Sequence, residues 1–217
     1  LRLDDHKALS TGQPLRRLPM PQRLILPLQQ HIGHSAEPAV QVGERVKKGQ
    51  MVANAVDFVS APLHAPTSGT VIEIGDRPIP HPSGLSDACI VIEADGEDAW
   101  AALPEPLPDF RAHSSAHLRE RIRWAGIVGL GGAAFPTHVK LVVPKGKRVQ
   151  FFLVNGSECE PYLTNDHRVM VEQPDLLLEG LEILAGLLGA EQTIIGIELN
   201  KPDAIETLRS RIPAEAP

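Results

Sequence analysis

The run GLGGAAFPTHVKL, residues 129–141, sets Gly129, Gly131 and Gly132 close together and follows them with Phe135, Pro136 and Lys140. Residues without a Cβ let a flat or anionic ligand approach the backbone amides. A proline in the first turn of a helix, and the positive end of that helix, favour an anion. Lys140 comes four residues after Pro136, about one turn on, where a compact ammonium would meet negative charge. GLGGAA also matches the dinucleotide pattern G-x-G-x-x-G/A, but that pattern needs a strand before it and a helix after it. The segment before Gly129 reads as helix, so the ordinary dinucleotide reading fails on context. Taken alone, the run is equally well read as a tight glycine turn between packed helices.

A second run, NGSECEPYLTNDHR at 155–168, follows the apolar stretch VQFFLVN at 149–155. Ligands of α/β sheets bind just beyond the carboxyl ends of strands. Asn155 offers both a donor and an acceptor. Glu158 and Glu160 are two residues apart and share a side if the chain stays extended. The plainer alternative is a solvated acidic loop, with Asp166, His167 and Arg168 as a surface charge cluster. An anion cradle and an acidic, amide-bearing strand end in one chain favour a ligand site.

The elements that must position these residues divide in two. RLILPL (23–28), MVANAV (51–56), GTVIEI (69–74) and CIVIEA (89–94) are short β-prone runs broken by Gly, Pro and Ser. They predict a small all-β barrel or sandwich over 1–101. ALPEPLPDF (102–110) carries three prolines and reads as an extended linker. From 111 to 217 the pattern alternates. SSAHLRERIRWAG (114–126) is helical, with Leu118, Ile122 and Ala125 on one side. VQFFLVN and QTIIGIE (192–198) read as strands buried on both faces. PDLLLEGLEILAGLLGA (174–190) is an amphipathic helix started by Pro174 and ended by Gly189. KPDAIETLRSRI begins another. Alternating strands and helices predict parallel strands joined by right-handed crossovers.

Composition narrows the function classes. A net charge of −6 argues against a nucleic-acid surface, and 4% aromatics argue against a base-stacking platform. Cys89 and Cys159 belong to no CxxC pair, and two thiolates do not complete a typical iron–sulfur cluster or structural zinc site. Free thiols are the default, and Cys159 is expected to be a small buried residue. No metal ligand set is read. No apolar run reaches the roughly 18–20 residues that span a bilayer. The N-terminus resembles no signal peptide, and the missing initiator Met suggests a piece of a longer protein.

Residues VQVGERVKKGQ and APTSGTV, with Gly43 and Gly49 flanking a turn, resemble the biotinyl/lipoyl-like barrel-sandwich fold over about 23–95. Carriers of that fold display a lysine at the hairpin tip. The corresponding tip, NAVDFVSAPLH, has none, so this half reads as a rigid docking or spacer module rather than a carrier.

GLGGAAFPTHVKL followed by NGSECEPYLTNDHRVM resembles the C subunit of the Rnf (Rsx) electron-transport complex over nearly the whole chain. It is more distantly similar to the flavin subunit of respiratory complex I. The resemblance implies a barrel-sandwich β domain followed by a Rossmann-like α/β flavin-binding domain. It implies FMN and NADH as cofactor and substrate. Gly129, Gly131 and Gly132 would lie against the flavin, Lys140 at its polar side, and Asn155 and Glu158 would hydrogen-bond it. Phe135 and Glu160 match positions associated with the nicotinamide nucleotide. No residue is assigned as a catalytic acid, base or nucleophile.

Ala134 and His138 depart from the family pattern, where glycine is usual, and Ser157 and Cys159 replace an Asp and a Ser of the complex I motif. Two 4Fe-4S clusters of the full-length family fall outside this chain. The implied partners are other subunits of the Rnf membrane complex, with ferredoxin or flavodoxin reached indirectly. The implied location is peripheral, on the cytoplasmic face of the bacterial inner membrane. The alternative is a non-catalytic docking module with a vestigial flavin site.

Overall fold

The computed structural model describes residues 4–130 and 133–213. Two compact units emerge: Pro19–Val142, and Leu1–Leu18 together with Val143–Pro217. The proline-rich stretch 102–110 lies inside the first of these.

The barrel unit opens with β1 (Arg23–Pro27), β2 (Glu37–Pro38), β3 (Arg45–Val46) and β4 (Met51–Asn54). It continues with β5 (Leu63–His64), β6 (Gly69–Pro78) and β7 (Ser86–Ala94). One antiparallel sheet runs β1-β7-β6-β3 and another β2-β4-β5. The two sheets enclose Leu28, Val46, Val52, Leu63, Val71, Ile90 and Ile92. All four sequence-predicted strands are present. The two-residue strands β2, β3 and β5 are too short to leave a periodic signature. Gly49 sits at φ +77°, and a Cβ there would fall 2.9 Å from the Trp100 ring. That turn is therefore closed to a side chain on both conformational and steric grounds.

Helix α1 (Ser115–Trp124) and the single turn α2 (Thr137–Lys140) complete this unit. Ser114 caps α1, its Oγ accepting from the His117 amide at 3.3 Å. Leu118 is buried, as its helical spacing predicts, but Ala125 is exposed.

The α/β unit holds β8 (Phe151–Asn155), α3 (Asn165–Glu172), α4 (Pro174–Leu188), β9 (Gln192–Gly196) and α5 (Pro202–Arg209). β8 and β9 pair in parallel, Phe151 opposite Gln192 through Asn155 opposite Gly196. Pro174 opens α4, and Gly189 closes it in the left-handed region at φ +59°. Met170, Ala204 and Leu208 form the core, with Leu177, Leu178, Ile195 and Ile197 against it.

One expectation needs correction here. The strands are not buried on both faces: Phe151, Leu153 and Ile194 are exposed on one face. This sheet has two strands, and its core helices cover one side of it. The plainer alternative for Asp166, His167 and Arg168, a surface charge cluster, fits the exposed Asp166 but not the buried His167. The three residues lie in the first turns of α3. A helix of eight residues beginning with Asn-Asp-His shows too little apolar periodicity to be read.

Candidate flavin and nucleotide site

The glycine run leaves α1 through Gly126, whose φ is +69°. A Cβ at this position would lie 2.7 Å from the Pro62 carbonyl, so only glycine lets the chain pass so close to β5. The chain then closes a loop. Gly129 donates its amide to the Phe135 carbonyl at 2.9 Å, Thr137 donates to Ile127 at 3.1 Å, and Val128 bridges to Pro136. The Gly129 amide is thus spent within the loop. Gly131 and Gly132 lie outside the described residues.

Pro136 is the residue before the helix rather than its first helical position, and α2 is one turn long. A one-turn helix has little macrodipole, so the positive character here comes from Lys140. A Cβ on Gly129 would sit 3.0 Å from the Lys140 Nζ. Bare backbone therefore makes room for that ammonium. Lys140 is exposed, and among the described residues no carboxylate lies within ion-pair distance of it. Phe135 is half-buried at the loop's return, and Ala134 before it takes φ +44°.

The barrel supports this loop from below. Between β4 and β5 runs the connection 55–62, where carrier domains of this fold display a lysine. Here it receives two bonds. His138 donates Nε2–H to the Phe58 carbonyl at 2.9 Å, and Arg123 donates to the Asp57 carbonyl at 3.1 Å. His138 is buried, edge-on to the Phe58 ring at 5.9 Å. Burial pushes its pKa down. Ile32 adds a further tie, its amide donating to the Ala133 carbonyl at 3.0 Å. His138 thus reaches down to this connection from the helix turn α2.

In the α/β unit, Asn155 ends β8, as the strand pattern predicts. Its Oδ1 accepts from the Ser157 amide at 3.1 Å, turning the chain out of the sheet. Glu158 is buried and fully engaged in the fold. Oε1 accepts from the Asp166 amide at 2.8 Å, and Oε2 from the His167 amide at 3.1 Å and from Lys201 Nζ at 2.9 Å. It caps α3 across a gap of eight residues and pairs with a lysine 1% exposed.

Burial pushes the Glu158 carboxyl up, but the Lys201 and amide hydrogen bonds overcome this and hold it below the usual range. Glu198 completes the cluster at 3.0 Å from Lys201, whose hydrogen bond lowers the Glu198 pKa. Burial alone would lower Lys201, but the two carboxylates hold it above its ordinary value. Sequence reasoning missed Lys201 and Glu198. Neither spacing nor residue type marks a buried triad assembled from positions 158, 198 and 201.

Glu160 is exposed, and so is Cys159, contrary to the expectation of a small buried residue. The bend that buries Glu158 turns its neighbour outward. Among the described residues no helix is long and apolar enough to cross a membrane.

Comparison with known proteins matches each part. Residues 1–97 match the RnfC barrel sandwich hybrid domain, and residues 122–216 match the Nuo51 FMN-binding domain. The chain is thus a barrel-sandwich hybrid domain followed by an FMN-binding domain. It belongs to the RnfC family, the C subunits of Rnf-type complexes.

The chain is 50% identical over 206 residues to the C subunit of the ion-translocating oxidoreductase complex of Pseudomonas aeruginosa, covering 95% of this chain and 26% of that protein. It is 46% identical over 209 residues to the C subunit of the proton-translocating ferredoxin:NAD(+) oxidoreductase complex of Clostridium ljungdahlii, covering 95% and 45%. The corresponding ion-translocating oxidoreductase component of Salmonella newport is 46% identical over 204 residues, covering 94% and 27%. The chain therefore spans between a quarter and a half of the length of these relatives.

Proposed function

We propose that this chain is the FMN- and NADH-binding portion of a peripheral subunit in an ion-translocating complex that moves electrons between NADH and ferredoxin. The observation that carries the reading is Lys140: a solvent-facing ammonium against bare Gly129 backbone, on a loop tied down by His138 and Ile32. Such a pairing suits an anionic, planar group, so the residues fit FMN. Gly129, Gly131 and Gly132 admit the ring system to the backbone, and Lys140 holds negative charge at its polar edge. Asn155 presents its side-chain amide. Glu158 contributes by fixing the strand-end loop and the amides of α3. Phe135 and Glu160 receive the nicotinamide nucleotide, the ring by contact and the carboxylate toward ribose hydroxyls.

FMN, when bound, supplies hydride acceptance and one-electron release. The chain's own residues bind, orient and neutralise charge. The remaining subunits, ferredoxin or flavodoxin, and two 4Fe-4S clusters of the full-length protein lie beyond this chain. The complex would place it on the cytoplasmic face of the inner membrane.

Titrating FMN into the full-length subunit, followed by flavin fluorescence, tests the reading. Lys140→Met should weaken binding about tenfold, roughly 1.4 kcal/mol. Equal binding by parent and variant removes Lys140 from the site. No binding by the parent favours the non-catalytic docking module instead.

A further inference from the structure

Residues before the barrel unit carry a feature that neither the motifs nor the family matches point to. Lys7 is 6% exposed, in a short 3-10 turn at Lys7–Leu9. Its Nζ donates to three carbonyls of one loop: Glu158 at 2.6 Å, Glu160 at 3.1 Å and Leu163 at 2.7 Å. An ammonium has three donors and no acceptor, so this one is saturated. The loop lies between β8 and α3 and has no ladder or helix to receive its carbonyls, and the Glu158 carbonyl would otherwise be buried unmatched. Flanking contacts reinforce the tie. Tyr162 donates its amide to the Asp5 carbonyl at 2.8 Å, and Ser10 Oγ donates to the Tyr162 carbonyl at 2.7 Å. His6 stacks on the Tyr162 ring at 4.9 Å.

We infer that Lys7 is a positioning residue for nicotinamide nucleotide binding, holding the 158–163 loop in the one conformation that presents Glu160. This rests on the functional reading above, in which Glu160 receives the nucleotide. The ammonium fixes the peptide groups at 158 and 160, and with them the direction in which the exposed Glu160 side chain leaves the loop. Without Lys7, three carbonyls turn to water, and Glu160 samples several directions. The Glu158–Lys201–Glu198 side-chain bonds are made without Lys7 Nζ, so the loop's inner end stays anchored while its outer part loosens.

The test uses the full-length subunit loaded with FMN, as parent, Lys7→Met and Ser10→Ala. Amide hydrogen exchange of peptides covering 156–164 is read in the ligand-free protein. NADH KM and kcat are read with ferricyanide as acceptor, and FMN Kd by fluorescence. Lys7→Met should speed exchange at 158–163 at least tenfold and raise the NADH KM about tenfold. It should leave kcat and FMN Kd within twofold. A loosened loop with unchanged KM would overturn the positioning role and leave Lys7 as a stabiliser alone. Should Lys7→Met lower Tm and lose FMN as well, Ser10→Ala decides: it removes one tie only, and should raise KM about threefold at unchanged Tm. No rise in Ser10→Ala would then count against the inference. If the parent itself neither binds FMN nor reacts with NADH, the functional reading fails and takes this inference with it, a result distinct from any failure confined to the variants.

Discussion

At the scale of residues, the structure separates side chains that meet a ligand from those that hold the fold. Lys201 is the clearest of the second kind. Two carboxylates converge on an ammonium 1% exposed. Removing one partner from such a cluster strands charge away from water. Lys201→Met should cost about 3–5 kcal/mol in urea denaturation. Glu198→Gln should cost much less, because the Glu198 side chain is 31% exposed. Ala134 is the opposite case. It occupies φ +44°, where a Cβ crowds the following carbonyl. Glycine, with no Cβ, relieves that crowding. Ala134→Gly should raise the denaturation free energy by about 0.5–1 kcal/mol, and an unchanged or lowered midpoint would contradict the strain.

At the scale of elements, what was legible depended on length and pattern. Long β-runs and the α4 helix, bounded by Pro174 and Gly189, announce themselves through periodicity and end signals. The glycine loop and the strand-end run were visible as motifs. Their supports were not. His138 reaches Phe58 across 80 positions, Lys201 reaches Glu158 across 43, and Lys7 reaches its carbonyls across 151 to 156. No local pattern encodes such partners. The sheet shows a further limit of pattern reading: VQFFLVN is almost wholly apolar, yet only alternate residues of β8 turn toward the core. Leu208→Ala, in α5, should cost about 2–5 kcal/mol. Leu153→Thr, on the exposed sheet face, should shift the stability of this chain by no more than about 0.5 kcal/mol.

For the whole molecule, acid should act on the two units through different groups. In the barrel unit, burial depresses His64 and His138. Their folded forms bind fewer protons than the unfolded chain below about pH 6.5, so the unit is at full strength above that value and weakens as pH falls through the depressed pKa values. In the α/β unit, burial pushes Glu158 and Asp203 up, but hydrogen bonds outweigh it and hold both low, as they do Glu198. Their contribution is complete above about pH 4.5 and is lost as pH drops through the lowered values. Burial and the Glu158 charge raise Asp166, which works against that trend. Trp100 and Trp124 both lie in the barrel unit, and among the described residues three of the five α-helices lie in the other. Tryptophan fluorescence should therefore begin to change at higher pH than helical circular dichroism. Superimposable curves would show that the histidines do not set the barrel's acid limit.

The placement of Lys7 has a consequence for synthesis. Its nearest carbonyl partner lies 151 residues downstream. At about 5–20 residues per second, that partner leaves the ribosome roughly 8–30 s after Lys7 does. The whole barrel is translated in between. The segment around Lys7 must wait without its partners until the 158–163 loop emerges, and that loop is then held both by residues made before the barrel and by Lys201 and Glu198, made after it.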